Sequence, residues 1–347
     1  MTDSFEALAS EFRSVRENYI SYCKSVAGLI ERLLSVNAIS VHSITQRCKT
    51  IESFSRKIEK KNAYESLMDI TDLAGIRIIT LFSEDVDVVA KLIEREFIID
   101  SKNSIDKRAA LDPDRFGYLS LHYVASLNES RGKLQEYFGF GELKMEIQIR
   151  SILQHTWAEI EHDIGYKSAV EVPRQIRRRF SRLAGLLELA DQEFIGIRKD
   201  LDIYALNIKE QMKDGGAEIL IDKITLFNFV EVNKLCSKID GEISVIRNAS
   251  LGRISVSSKT IKNLEYIGIR TISTLEVKMK EFYPDILRRV EDVVRESVNI
   301  PKSIERGSSI FFLIQVVVAQ RKDRSFVDEY VESNEWSESF ADYLMSF

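Results

Sequence analysis

Residues 143–166, LKMEIQIRSILQHTWAEIEHDIGY, change period in mid-run. From Leu143 to Arg150 polar and apolar side chains alternate. A β-strand therefore sets Lys144, Glu146, Gln148 and Arg150 on one face and Met145, Ile147 and Ile149 on the other. From Ser151 to Tyr166 the spacing of Leu153, Trp157, Ile160 and Ile164 is that of one helical face. A strand feeding directly into a helix is the unit from which helix-covered sheets are built. The polar stripe on the strand has two readings: an edge strand facing water, or the lining of a site.

The same alternation of elements extends upstream. Residues 74–82, AGIRIITLF, are β-branched and read as a buried strand, followed by a helix over 84–97 and a short strand over 97–100. Residues 101–116 are polar and include an Asp-Pro step, the mark of a loop, and 117–127 read as a further strand. Before them, residues 5–36 carry one apolar helical face through Phe12, Tyr19 and Val26, 41–44 look like a strand, and the cation-dense stretch 46–62 reads as a helix. The expected fold is α/β in the α+β sense, a mixed β-sheet covered by helices. Downstream, Pro173 stands where a helix can begin, and 176–212 gives a long helical pattern. Gly215-Gly216 is the clearest break. It divides the chain into an expected first domain, 1–214, and a smaller, mostly helical domain, 217–347, with one β-rich run at 309–319.

Composition narrows the class. Of 347 residues, 44% are apolar and 30% charged, which suits a protein with a real core. The net charge of −5 speaks against a general nucleic-acid binder. Cys23, Cys48 and Cys236 are few, distant and odd in number, as in a reducing compartment, and they spell no cysteine-rich metal site. No apolar run approaches the roughly 18 residues of a membrane span, and the acidic start lacks a signal-peptide layout. The expected location is the cytoplasm, with no membrane partner.

Three further segments carry candidate chemistry. Asp72 stands just before the 74–82 strand, and Arg77 lies inside that apolar run; a buried guanidinium needs a partner, either a salt bridge within the fold or a phosphate–metal cluster. Tyr118, Ser120 and His122 share a strand face, where an aromatic and a histidine stack on a base and touch a phosphate or serve as ordinary structural residues. Arg47, Lys49, Lys57 and Lys60 form either a solvated helix face or the cation set that a polyphosphate requires.

Taken in order, RCKTIESFSRKIEKK (47–61), DITDLAGIRII (69–79), FGYLSLHYV (116–124) and MEIQIRSILQHTWAEIEHDIGYKS (145–168) resemble the synthetase domain of RelA/SpoT-type alarmone enzymes, over about residues 30–200. The resemblance implies a nucleotidyltransferase-like domain that moves pyrophosphate from ATP to the 3′-hydroxyl of GTP or GDP. It implies that Asp72 and Glu146 hold Mg²⁺, with Glu146 helping to deprotonate the hydroxyl. It further implies that Arg47 and Arg77 sandwich adenine and that Lys49, Lys57 and Lys60 line the ATP phosphates. Tyr118, His122, Gln148, His155 and Glu161 fall on the GTP side. Phe116 and Leu119 replace the family's usual Asn and Arg around Gly-Tyr, so the acceptor stays open. Related toxins use the tRNA 3′-end or make adenosine alarmones, and a silent nucleotide sensor is a further alternative. The metal-dependent hydrolase domain of the long members has no counterpart in the residues that precede the match.

The second half lies outside the resemblance. Residues 263–275 read as helix, turn at Gly268, helix: either a packing element or a phosphate-facing unit. Residues 333–347, acidic and then apolar, read as a docking tail, and a tRNA or protein partner is expected through the C-terminal region as a whole. The arginines of 174–182 are either a solvated face or an RNA contact. A regulatory or interaction role is expected for 217–347, and the pattern specifies no oligomeric state.

Overall fold

The computed structural model describes residues 2–61, 64–106, 120–167, 173–213, 218–296 and 301–347. The chain forms two compact units, Met1–Arg198 and Lys199–Phe347. Their boundary falls inside a long helix, and the Gly215-Gly216 break lies outside the described residues.

In order, the first unit contains α1 (Thr2–Val36), β1 (Ser43–Cys48), α2 (Ile51–Lys61), β2 (Ala74–Thr80), α3 (Glu84–Glu96), β3 (Phe97–Ile99), β4 (Ile105–Asp106), β5 (Leu121–Leu127), α4 (Glu129–Gly132), β6 (Met145–Ser151), α5 (Ile152–Lys167) and the start of α6 (Arg174–Lys213). The strands join in the order β1-β2-β6-β5-β3, with β4 on β5. Only β2–β6 is parallel; β1–β2, β6–β5, β5–β3 and β4–β5 are antiparallel. The sheet is thus mixed, and β6 is interior, which removes the edge-strand reading of its polar stripe.

One sheet face is apolar. Ile76 and Ile78 of β2 and Met145, Ile147 and Ile149 of β6 are buried with Phe12, Tyr22, Val26 and Ile30 of α1, Phe54 and Ile58 of α2, and Val89 and Ile93 of α3. Each such side chain gains about 1.5–3 kcal/mol on leaving water. The rings of Phe12 and Phe54 stack at 4.6 Å, tying α1 to α2. The opposite face of the same strands is the polar one, because side chains alternate.

Local boundaries differ from the periodic reading in two places. Gln46, Arg47 and Cys48 belong to β1, paired to β2, and the helix begins only at Ile51. A cation-rich sequence hides a strand that is half-exposed on the sheet edge. On α5, Trp157 is buried against Ala184 of α6, but Ile160 and Ile164 are 49% and 46% exposed.

The second unit holds the rest of α6, then α7 (Lys223–Val232), α8 (Lys234–Ile246), β7 (Ser250–Ile254), α9 (Ser258–Tyr266), α10 (Ile272–Glu281), α11 (Tyr283–Glu296), β8 (Ser303–Arg306), α12 (Ser308–Gln320), α13 (Arg324–Ser333) and α14 (Glu338–Ser346). The helix–turn–helix around Gly268 is present, with that glycine at φ +81°. The run 309–319 is not a strand: it is α12, buried on nearly every side among α8, α11, α13 and α14. A helix without a wet face shows no 3.6-residue pattern, and its β-branched residues then imitate a strand. Its start is fixed by Gly307 at φ +95° and by Asp240 of α8, whose carboxylate accepts from Gly307 N (2.7 Å) and Ser309 N (2.8 Å). Residues 333–347 are not a free tail either: Ala341 and Leu344 of α14 are buried in this core. Nearby, Arg289 is fully buried, donates from Nε to Gln315 Oε1 (2.9 Å), and sits 4.2 Å over the Tyr343 ring.

Candidate active site

Register places the candidate residues on one sheet face in two rows. Thr45, Arg77, Gln148 and His122 are cross-strand partners in one, and Arg47, Gly75 and Glu146 in the other. The Arg47 side chain lies across the strand at Gly75, where a Cβ would meet it at 3.5 Å, an ordinary contact distance. These rows, His122 excepted, line a single cleft with Asp72 from the turn before β2 and Glu159 from α5.

Asp72 is bracketed by cations. Its Oδ2 accepts from Lys49 Nζ and its Oδ1 from Lys57 Nζ, each at 2.7 Å. Burial opposes its ionisation, but the two lysine hydrogen bonds outweigh that and hold the carboxyl below its ordinary range. Glu146 behaves similarly. Its Oε1 accepts from His122 Nδ1 (2.6 Å) and Gln148 Nε2 (3.3 Å). Burial raises its pKa and the Asp72 charge adds to that rise, yet the His122 contact prevails and the net shift is downward. The same ring carries the contact onward, its Nε2 being hydrogen-bonded with Ser120 Oγ. The chain continues to Arg150, whose Nη2 donates to Gln148 Oε1.

Arg150 is the most constrained cation here. It is 6% exposed, its Nε has no partner among the described residues, and burial together with the Arg77 charge pushes its pKa down to about 10. Arg77 is half-buried and pairs with Glu159 Oε1 at 2.9 Å, so without ligand its salt bridge is internal to the fold. His155 lies 3.7 Å from the same carboxylate, and burial, Arg150 and Arg77 lower its pKa, keeping the ring neutral near pH 7.

The structure therefore brings together Arg47, Asp72, Arg77, Glu146 and Gln148 in the cleft, with Lys49 and Lys57 on Asp72 and His122 on Glu146. Lys60 and Glu161 are exposed on their helices and do not line it. Tyr118, Phe116 and Leu119 lie outside the described residues. Lys144, on the polar stripe, pairs instead with Asp100 at 2.7 Å. Glu159 was missed by sequence reasoning, and its only signal is a place two turns along α5 from β6, which becomes meaningful once α5 folds over β2. Among the described residues no group of three or more His, Cys, Asp or Glu is arranged to hold a metal. No helix among them is long and apolar enough to cross a membrane.

Comparison with known proteins gives this site a context. Residues 46–171 match the family described as "Region found in RelA / SpoT proteins". GTP pyrophosphokinase YwaC of Bacillus subtilis is 31% identical over 163 residues, 45% of this chain and 73% of that protein. GTP pyrophosphokinase YjbM of the same organism is 27% identical over 165 residues, 46% of this chain and 74% of that protein. Among solved structures, small alarmone synthetase 2 from Bacillus subtilis aligns with a TM-score of 0.46 at 25% identity, covering 55% of this chain and 99% of that one. The matched segment holds β1, β2, β5 and β6, both carboxylates and the cations about them, and by that likeness the chain belongs to the RelA/SpoT family.

Proposed function

We propose that this protein transfers a pyrophosphoryl group from ATP to the 3′-hydroxyl of GTP or GDP, yielding AMP and (p)ppGpp. The reading is carried by one observation: Asp72 and Glu146 stand in one cleft between two differently equipped sides of the same sheet face. On the β1–β2 side are Arg47, Arg77, Lys49 and Lys57, suited to an adenine and a polyphosphate. On the β6–β5 side are Gln148 and His122, suited to the acceptor nucleotide.

In this reaction the acceptor O3′ forms a bond to the β-phosphorus, the bridge between the α- and β-phosphates breaks, and its electrons leave with AMP. Glu146, held ionised by His122, takes the hydroxyl proton. Lys49 and Lys57 exchange Asp72 for phosphate oxygens as ATP enters, and Arg47 and Arg77 hold the base, with Arg77 leaving Glu159. Positioning and fixed charge do most of the work, as elsewhere in phosphoryl transfer. Two carboxylates in one cleft also fit Mg²⁺, which characteristically binds one or two carboxylates and completes its shell with substrate phosphate and water; when bound, it neutralises charge building on the phosphates.

The test is incubation of the purified chain with ATP labelled at the γ-phosphate and Mg²⁺, with GTP, GDP, no second nucleotide, or total tRNA as acceptors, beside Asp72→Ala and Glu146→Ala. Label on GTP or GDP that is lost in both variants supports the proposal. Label on tRNA or on adenosine nucleotides alone overturns the acceptor assignment. Nucleotide binding without transfer to any acceptor overturns the assignment as an active enzyme.

A further inference from the structure

Every second side chain of β6 lies on the polar sheet face, so Glu146, Gln148 and Arg150 follow one another in a row. The backbone that carries them is paired on both sides, parallel to β2 and antiparallel to β5, and the sheet fixes their spacing. Arg150 ends the row. It is 6% exposed, and a guanidinium taken that far out of water usually faces a carboxylate. Among the described residues it instead donates from Nη2 to Gln148 Oε1 at 2.5 Å, and its Nε has no partner. A buried cation so placed costs stability rather than adding to it, so packing alone gives no reason for an arginine here.

A guanidinium only donates, and an ionised carboxylate only accepts. Between the two, the Gln148 amide has one orientation that satisfies both ends: Oε1 toward Arg150, and Nε2 toward Glu146 Oε1 at 3.3 Å. Turned over, it would set oxygen against carboxylate and N–H against N–H. Arg150 thereby holds Gln148 as a donor to Glu146. Two donors then converge on one atom, because Glu146 Oε1 also accepts from His122 Nδ1 at 2.6 Å. A carboxylate oxygen has two lone pairs, so Oε1 is filled and Oε2 is the oxygen left for the reaction.

We infer that Arg150 is a positioning residue for pyrophosphoryl transfer: through Gln148 it helps to hold Glu146 by Oε1, and so gives Oε2 the proton of the acceptor 3′-hydroxyl. The inference rests on the reading of the activity given above. In that step O3′ bonds to the β-phosphorus as its proton passes to Oε2, and the electrons of the broken α–β bridge leave with AMP. Without Arg150 the Gln148 amide turns freely, and Glu146 keeps only one of its two holds on Oε1.

Steady-state kinetics of the full chain tests this, with Arg150→Met, Arg150→Lys, Gln148→Leu and the double variant Arg150→Met/Gln148→Leu, on whichever acceptor the wild type uses. Arg150→Met should lower kcat by about 10–100-fold, the usual cost of losing a residue that orients a site ligand, and leave KM for ATP unchanged. Arg150→Lys keeps a donor facing Gln148 Oε1 and should recover most of the rate. The double variant should be no slower than Gln148→Leu, because Arg150 acts through that amide. Thermal unfolding of Arg150→Met should not shift downward, since a buried charge without a carboxylate partner is removed. Single losses that add in the double variant, an Arg150→Met rate equal to the wild type, or an Arg150→Met that unfolds early with Arg150→Lys no faster, each overturns the role of Arg150 and leaves the activity standing. A wild type that transfers pyrophosphate to no acceptor overturns the activity itself, and this role with it.

Discussion

Asp72 holds two ammonium groups at 2.7 Å each, and that bidentate arrangement decides what its removal does. Asp72→Asn keeps the shape but removes one of the two carboxylates that would hold Mg²⁺, and leaves Lys49 and Lys57 without a countercharge until ATP enters. It is expected to lower kcat by roughly 10²–10³-fold, the range seen when one transition-state electrostatic partner is lost. Lys57→Met should cost much less, since Lys49 remains; single-turnover transfer from labelled ATP measures both. Glu146 supplies a pH prediction. Its folded pKa is depressed, so the ionised form is favoured in the fold; that contribution is present above the ordinary glutamate range and is lost as pH falls through the depressed value. The acid limb of the rate–pH profile should therefore lie below that of an ordinary glutamate. His122→Ala should move it upward, while His122→Asn, which keeps a donor near the place of Nδ1, should hold it near the wild type. An unmoved limb in His122→Ala would mean that His122 does not set the charge state of Glu146. Both carboxylates were legible in the sequence, because Asp72 precedes a strand and Glu146 alternates on one. The Arg77–Glu159 pair was not, since it joins residues 82 positions apart that meet only after α5 turns back over β2.

At the scale of elements, alternation and helical spacing were readable wherever one face is wet and the other dry. Strand β6 announces itself for that reason, and the two-row register of the site follows from it. Strand β1 was read only at its start, from the stretch 41–44; its later part was concealed because its exposed edge position needs no apolar alternation, and Arg47 was therefore assigned to a helix. Helix α12 was concealed for the opposite reason: it is buried on nearly every side. What makes it a helix is tertiary, and Asp240 is the test. Its carboxylate accepts two backbone N–H groups at the start of α12 from inside the core. Asp240→Ala removes an N-terminal cap, about 1 kcal/mol in exposed helices, and strands buried donors at roughly 1–3 kcal/mol. We expect a loss of about 1–3 kcal/mol in the second unit by urea unfolding, the range of buried donors left unsatisfied, which already includes the cap. Burial and the Asp240 charge also push the Cys236 thiol up to about 12, so this thiol should resist alkylation near neutral pH in the wild type and gain reactivity in Asp240→Ala. Unchanged stability and reactivity would show that Gly307 alone fixes the start of α12.

Across the whole molecule, charge and cohesion are distributed unevenly. The chain carries a formal charge of −5, yet its cleft gathers Arg47, Lys49, Lys57, Arg77 and Arg150 about three carboxylates. Attraction for a polyanion is therefore a local property of one sheet face, invisible in the net charge. Cohesion is divided as well. One apolar core joins α1, α2, α3 and the sheet, and another joins α7 to α14. Each is large enough for a domain of its own size to unfold cooperatively. Scanning calorimetry should accordingly resolve two transitions. A non-hydrolysable ATP analogue with Mg²⁺, at a hundredfold excess over its Kd, stabilises the unit that binds it by about 2.7 kcal/mol. For a domain of 150–250 residues each kcal/mol moves Tm by about 2–4 °C, so the transition of the first unit should rise by roughly 5–10 °C on those two relations. Asp240→Ala should lower the other transition and leave the nucleotide-dependent rise intact. A single transition that shifts as one with nucleotide, and falls as one with Asp240→Ala, would mean that the two cores unfold as a single cooperative body and that the second half feels the state of the cleft directly.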